Sequence, residues 1–177
     1  MKPEIILLFI LCFCISCQKS DEQNICDNIL TQVIDSKSIN TYNCNNEKDV
    51  GEEKTIFVNE NLGNYVENDL EFIPKNYTTD KTKSQKISIN QNNTNLLKLK
   101  SLADIPKVEN RDQYLSSLKN YYGTFNFGNL YLDKNHENAI IPLYYSCNSH
   151  STTSYLLYLK KVNKNWKIIH VKQLWIS

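Results

Sequence analysis

The chain has 177 residues, 41% of them hydrophobic and 22% charged, proportions close to the globular average that exclude both wholesale disorder and a polytopic membrane protein. Lys and Arg total 20 against 19 Asp and Glu, a formal charge of +1, so the basic footprint of a nucleic-acid binder is missing. With 4 Gly and 4 Pro there is little room for a phosphate-cradling loop or a low-complexity tract.

Lys2 precedes an apolar run from Ile5 to Ile15, and the polar stretch Gln18 to Gln23 follows Ser16 and Cys17. The run is too short to cross about 30 Å of hydrocarbon at about 1.5 Å per residue. A positive residue, a short apolar stretch and a small residue before the break have the anatomy of a secretory signal. Ile15-Ser16-Cys17 resembles a bacterial lipobox, with Cys14 standing where Leu is usual. The resemblance implies a signal peptide over 1–16, diacylation of Cys17, a tether over 17–24 and a single domain over 25–177. Several acyl chains hold a protein in a bilayer where one alone would not. An ordinary cleaved signal with an incidental Cys17, and an uncleaved anchor helix, are the alternatives. Gln18 to Gln23 also resembles the tether of surface-exported lipoproteins of Bacteroidota, which leaves either face of the outer membrane open.

Once Cys12 and Cys14 are removed with the signal and Cys17 is acylated, Cys26, Cys44 and Cys147 remain. An envelope compartment permits disulfides. Cys26 with Cys44 is the preferred pair, closing a loop worth about 3 kcal/mol in the chain-entropy model, although three cysteines allow three pairings and the sequence does not select among them. Cys147 is then left as a buried thiol.

Ser20 and Gln23 have capping-box spacing, and Ile25, Ile29, Leu30, Val33 and Ile34 recur at helical intervals, which predicts an amphipathic helix from Asp21 to Asp35. Asn40 to Glu53 reads as a surface loop. Thr55 to Val58 and Lys86 to Asn90 are β-prone, with loop and one short helix expected between Asn59 and Ser84. Gln91 to Asn95 has turn composition, and Leu96 to Leu102 follows a strand-to-short-helix pattern ending before Pro106. Asn110 is an N-cap for a helix expected to run to Tyr122, with Gly123 just past its end.

From Phe125 onward the pattern changes to strands. Phe125 to Leu132 alternates with a phase slip at Gly128-Asn129 that suggests a bulge. Ala139 to Cys147 is a second strand, placed at an edge or bulge by Pro142. Ser154 to Val162 and Trp166 to Ile176 are a third and fourth, joined by the tight turn Asn163-Lys164-Asn165. Connections this short require antiparallel pairing. The fold class is α+β: an antiparallel β-meander of about four C-terminal strands plus one or two N-terminal strands, packed on two helices.

The order of a helix, Tyr-Tyr-Gly, the strand Asn138-Ala139-Ile140-Ile141 with a Cys at its end, Tyr155-Leu156-Leu157-Tyr158-Leu159, Asn165-Trp166-Lys167-Ile168-Ile169 and a closing Leu174-Trp175-Ile176-Ser177 resembles a family of uncharacterised small lipoproteins of Bacteroidota. The resemblance covers roughly the C-terminal third and implies a structural likeness, with no assigned activity to carry over. The chain departs from it at Asn148-Ser149-His150-Ser151-Thr152-Thr153, where a Gly/Cys-rich loop is usual.

No Gly-x-Ser-x-Gly, Ser-x-x-Lys, Walker-type loop or His-Glu-x-x-His occurs, which argues against an enzyme; no catalytic residue, metal ligand or cofactor is assigned. Cys147-x-x-His150 is half of a metal-site spacing without a second half, and His136 and His170 stand far from it in sequence. Glu52, Glu53, Glu67, Asp69 and Glu71 lie in polar segments where solvated charge outweighs a carboxylate pair. Tyr144, Tyr145, Tyr155 and Tyr158 fall on neighbouring strands, so some should line the sheet face away from the helices as a binding surface, the alternative being packing within the domain. The expected function is that of an outer-membrane lipoprotein with a non-enzymatic binding domain, reaching the membrane through its lipid. Its most concrete form is an immunity protein whose partner is a periplasm-delivered toxin. A housekeeping envelope lipoprotein, and a small hydrolase or ligand-binding domain with a concave polar pocket, are the rivals.

Overall fold

The computed structural model describes residues 20–35, 39–42, 44–45, 53–63, 70–79, 85–89, 97–148 and 151–177. Cys17, the signal, His150, Glu52, Glu67, Asp69 and the turn at 91–95 lie outside them. The described residues form two α-helices, α1 (Asp21–Asp35) and α2 (Arg111–Ser117), and eight strands: β1 (Lys54–Asn59), β2 (Tyr77–Thr78), β3 (Leu97–Ser101), β4 (Tyr121–Phe127), β5 (Tyr131–Asp133), β6 (Asn138–Asn148), β7 (Ser151–Val162) and β8 (Asn165–Ile176). The class is α+β, and the sheet is mixed.

Its spine is β3-β1-β4-β6-β7-β8, and β5, carrying β2, lies beside the first half of β6 where β4 lies beside the second. From β4 through β6 and β7 to β8 all pairing is antiparallel. β1 is different: it is parallel to both β3 and β4. Parallel neighbours need long crossovers, and the crossover from β3 to β4 carries a 3-10 turn at Leu102–Asp104 and α2.

Each face of the sheet receives one helix. Ile25, Cys26, Ile29, Leu30 and Val33 of α1 are buried against Ile56, Val58, Phe125, Phe127, Ile141, Leu143, Tyr145 and Leu157. These positions alternate along their strands and so share a face. Helix α1 begins where its sequence places it, with Ser20 Oγ accepting from the Gln23 N–H at 3.3 Å. The Gln23 side chain does not close the capping box; its Nε2 donates to Asp27 Oδ1 at 2.8 Å. Gln32 ties the helix to the sheet's outer edge: its Nε2 donates to Trp166 O at 2.9 Å and its Oε1 accepts from Ile168 N at 2.8 Å. The amide thus takes the place a neighbouring strand would occupy.

On the opposite face α2 lays Leu115 over Phe57 and Tyr121 at one end. Ile73 and Tyr77 pack over Tyr131, Ile140 and Leu156 at the other. Asn110 caps α2, its Oδ1 accepting from Gln113 N at 3.0 Å. The helix stops at Ser117, not Tyr122. Asn120 takes φ 47° and Gly123 φ +93°, which breaks the helical path, and Tyr121 and Tyr122 enter the ladder beside β1 instead, buried on opposite faces.

Three strand expectations are corrected. The slip at Gly128-Asn129 is a break between two strands, with Gly128 N donating to Pro142 O at 2.8 Å. Strand β6 is central, not an edge; Pro142 is tolerated because its missing N–H would point into the gap between β4 and β5, where no ladder bond is lost. Residues 86–89 form no strand, only a bridge from Lys86 to Asn61. The hairpin from β7 to β8 turns on Asn163 and Lys164, both at positive φ, the geometry that suits the strands' twist. No helix among the described residues is long and apolar enough to cross a membrane.

Candidate binding cavity on the sheet

The four tyrosines proposed as a binding face do not form one. Tyr144, Tyr145 and Tyr155 are buried, and Tyr158 is partly buried. Strand alternation does send them to opposite faces, but both faces are covered. Tyr145 and Tyr155 belong to the core under α1. Tyr144 lies beneath the other face with its ring 6.4 Å from Trp175, and Tyr158 packs beside Tyr77 and Ile73. Each face carries one helix, where the sequence pattern places both on the same face.

The disulfide also differs from expectation. Cys44 is bonded to Cys147, with their Cα atoms 5.2 Å apart, and Cys26 is a free buried thiol. Residue 26 lies on the core stripe of α1, so pairing it would pull the helix off the sheet. Cys44 is held at the sheet by its N–H, which donates to Tyr121 O at 2.9 Å, bringing it to the end of β6. Burial, with Asp27 and Glu22 adding like charge, pushes the Cys26 thiol up to about 12, so it is neither nucleophile nor ligand at neutral pH.

Between α2 and the sheet lies a cavity of about 340 Å³. Its floor is built by register. Asn59 pairs Asn126, Thr124 pairs Ser146 and Ser146 pairs Thr152 across β1, β4, β6 and β7, so these side chains rise from one face. The floor is hydrogen-bonded within itself: Asn59 Nδ2 donates to Asn126 Oδ1 at 3.3 Å, Ser146 and Thr152 share a hydroxyl bond at 2.9 Å, and Tyr121 and Thr124 share another at 3.0 Å. Leu102 and Leu115 supply an apolar wall, and Arg111 and Asp112 stand beside each other on the lining.

A bulge puts Tyr121 on this floor. Thr55 pairs Tyr121 and Phe57 pairs Thr124, so β4 spends one residue more than β1 over that stretch and its alternation shifts phase. Gly123 makes the shift. A Cβ there would run into the Tyr145 ring and come within 2.9 Å of Ser146 O. Burial raises the Tyr121 pKa against the opposing Thr124 hydrogen bond, so the phenol stays neutral and can both donate and accept.

The histidines and carboxylates are not assembled. His136 Nδ1 lies 3.9 Å from Asp21 Oδ2, and His170 of β8 meets Tyr158 of β7 at a tilt, ring centroids 5.6 Å apart. Glu53 meets Lys98 at 3.3 Å on the surface, and Glu71 is exposed. No group of three metal-ligating side chains occurs among the described residues. The cavity residues escaped the sequence reading because Asn126 and Ser146 stand between apolar neighbours, the pattern of a solvated face, while Thr152 lies in the polar run Asn148 to Ser154. Among the described residues, the crossover that carries Leu102 and α2 roofs it. No family model, no curated protein and no solved structure matches this chain.

Proposed function

We propose that the chain is a lipoprotein of a Gram-negative outer membrane, acylated at Cys17, whose single domain binds rather than catalyses. The cavity between α2 and the sheet carries the binding part of this reading: polar groups converge in a concave site, and the hydroxyls of its described floor are bonded in pairs, Ser146 with Thr152 and Thr124 with Tyr121, rather than to a base that would activate them. The lipid anchor rests on the sequence 15–17. Full-length protein purified in a zwitterionic detergent and screened by calorimetry against a library of small polar compounds should show saturable binding that Thr152→Val weakens by about tenfold. If no compound binds saturably, or none responds to that substitution, the cavity is not the site.

A toxin-neutralising role is the second reading. The open outer edge of β8 favours it. Beyond the Gln32 clamp no described strand pairs with that edge, and Ile169 and Ile176 are exposed along it, at 59% and 68%. Unpaired edges accept added strands. A proline scan over 169–176 should then abolish capture of a stoichiometric toxic partner, and capture that survives the scan would remove this reading.

A further inference from the structure

On the reading that the cavity is the binding site, we propose that its ligand is an uncharged polyhydroxyl compound, a short saccharide.

The hydrogen-bonding capacity of the floor comes first. A hydroxyl has one donor and two acceptor positions. The bond between Ser146 and Thr152 uses one donor and one acceptor, so that couple keeps one donor and three acceptor positions. The couple of Tyr121 and Thr124 keeps a donor as well. Asn126 accepts from Asn59, while its own amide nitrogen makes no hydrogen bond among the described residues, in a residue only 8% exposed. The floor therefore presents donors and acceptors together, as a ligand rich in hydroxyl groups does, and unlike a carboxylate, which only accepts, or an ammonium, which only donates.

Charge narrows the class. The only ionised side chains on the described lining are Arg111 and Asp112, of opposite sign and adjacent in sequence. An anion drawn to Arg111 would meet Asp112, and a cation drawn to Asp112 would meet Arg111. A charge desolvated without a matched partner is costly, so a neutral ligand is favoured over either.

Shape agrees. Leu102 and Leu115 face the polar floor, and a sugar ring is likewise two-sided, with C–H groups on its faces and hydroxyls around its rim. A volume of about 340 Å³ lies at the small end of the range of about 300–1,000 Å³ for small-molecule sites, which limits the occupant to a short saccharide. Because the floor stands on four hydrogen-bonded strands, its groups are positioned before the ligand arrives, which lowers the entropic cost of binding.

The test is calorimetric titration of the full-length protein, in a detergent without a sugar headgroup, with glucose, galactose, N-acetylglucosamine, maltose and cellobiose, and with glucuronate and glucosamine as charged counterparts. At least one neutral saccharide should bind, with the charged counterparts at least about tenfold weaker. Asn126→Leu and, separately, the near-isosteric Thr152→Val should each weaken it by about tenfold, the effect of one or two hydrogen bonds; circular dichroism confirms that the variants fold. Tighter binding of glucuronate or glucosamine, sensitive to Thr152→Val, would overturn the neutral class while keeping the cavity as the site. Saccharide binding indifferent to both substitutions would overturn the cavity as well. Binding by none of the seven probes would overturn the saccharide assignment and leave the compound-library screen to decide the site.

Discussion

Tyr42 holds the phenol of Tyr145 with both of its backbone groups: its N–H donates to the Tyr145 hydroxyl at 3.1 Å, and its carbonyl accepts from that hydroxyl at 3.2 Å. The two rings also meet edge to face, centroids 5.7 Å apart. A buried tyrosine hydroxyl needs partners. Here they come from a segment that is also tied to the sheet by Cys44, two residues on, which is bonded to Cys147.

Removing that bridge should therefore be costly. Its cysteines are separated by 103 residues, which in the chain-entropy model corresponds to about 4–5 kcal/mol. Urea unfolding of Cys44→Ala, Cys147→Ala double-mutant protein should show a loss of that order, and wild type in dithiothreitol should approach the same midpoint. A loss below about 1 kcal/mol would show that the segment is held without the bond.

Cys26 gives a pH dependence of definite sign. The unfolded thiol ionises near 9.0, but the folded one only at about 12, so the folded state holds its proton more tightly. The corresponding stability is fully present below pH 9 and is lost as pH rises toward 12. Tyr121 and Tyr155, both raised by burial, act in the same direction above pH 10. Urea midpoints from pH 8 to 11 should fall with pH, less steeply in Cys26→Ala. Native protein should resist iodoacetamide at pH 8, and a rapid reaction would contradict the burial.

Gly123→Ala places a methyl group against the Tyr145 ring at a residue with φ +93°. Strain and clash together should cost about 2 kcal/mol or more, measurable as a lower midpoint. Because the same residue sets the phase of Tyr121 and Thr124, ligand binding should fall more than stability alone explains at a temperature where the variant is folded.

Gln32→Leu removes both bonds to the outer edge of β8. The expected loss is about 1–3 kcal/mol, with Trp166 O and Ile168 N left unsatisfied. The freed edge should also raise concentration-dependent association in light scattering. Gln32→Glu keeps the acceptor for Ile168 N but not the donor to Trp166 O, and should fall between wild type and Leu.

Local signals were read correctly where they were complete within a few residues. Ser20 and the apolar spacing place α1 at Asp21–Asp35, and Asn110 caps α2. Asn163-Lys164 turns the last hairpin. What failed depended on distant partners. Tyr121 and Tyr122 have helical spacing with Tyr114 and Leu118, yet β1, some sixty residues earlier, captures them. The parallel β1–β3 and β1–β4 pairs join strands separated by long crossovers, which no turn signal announces. Pro142 suggested an edge because the gap between β4 and β5 cannot be seen in β6 itself. The polar floor carries no local signature for the same reason: its roof is elsewhere in the chain.

The bridge from Cys44 to Cys147 leaves out Cys26, and this constrains the order in which the chain can oxidise. In a chain that meets an oxidant from its N-terminus onward, Cys26 and Cys44 arrive together while Cys147 is still a hundred residues behind. Of the three described cysteines, those two are the nearest pair in sequence and the wrong one. A correct product requires either that α1 fold early enough to hide Cys26 or that a premature bond be exchanged, so a fragment ending before Cys147 should accumulate the misplaced crosslink that the complete chain avoids.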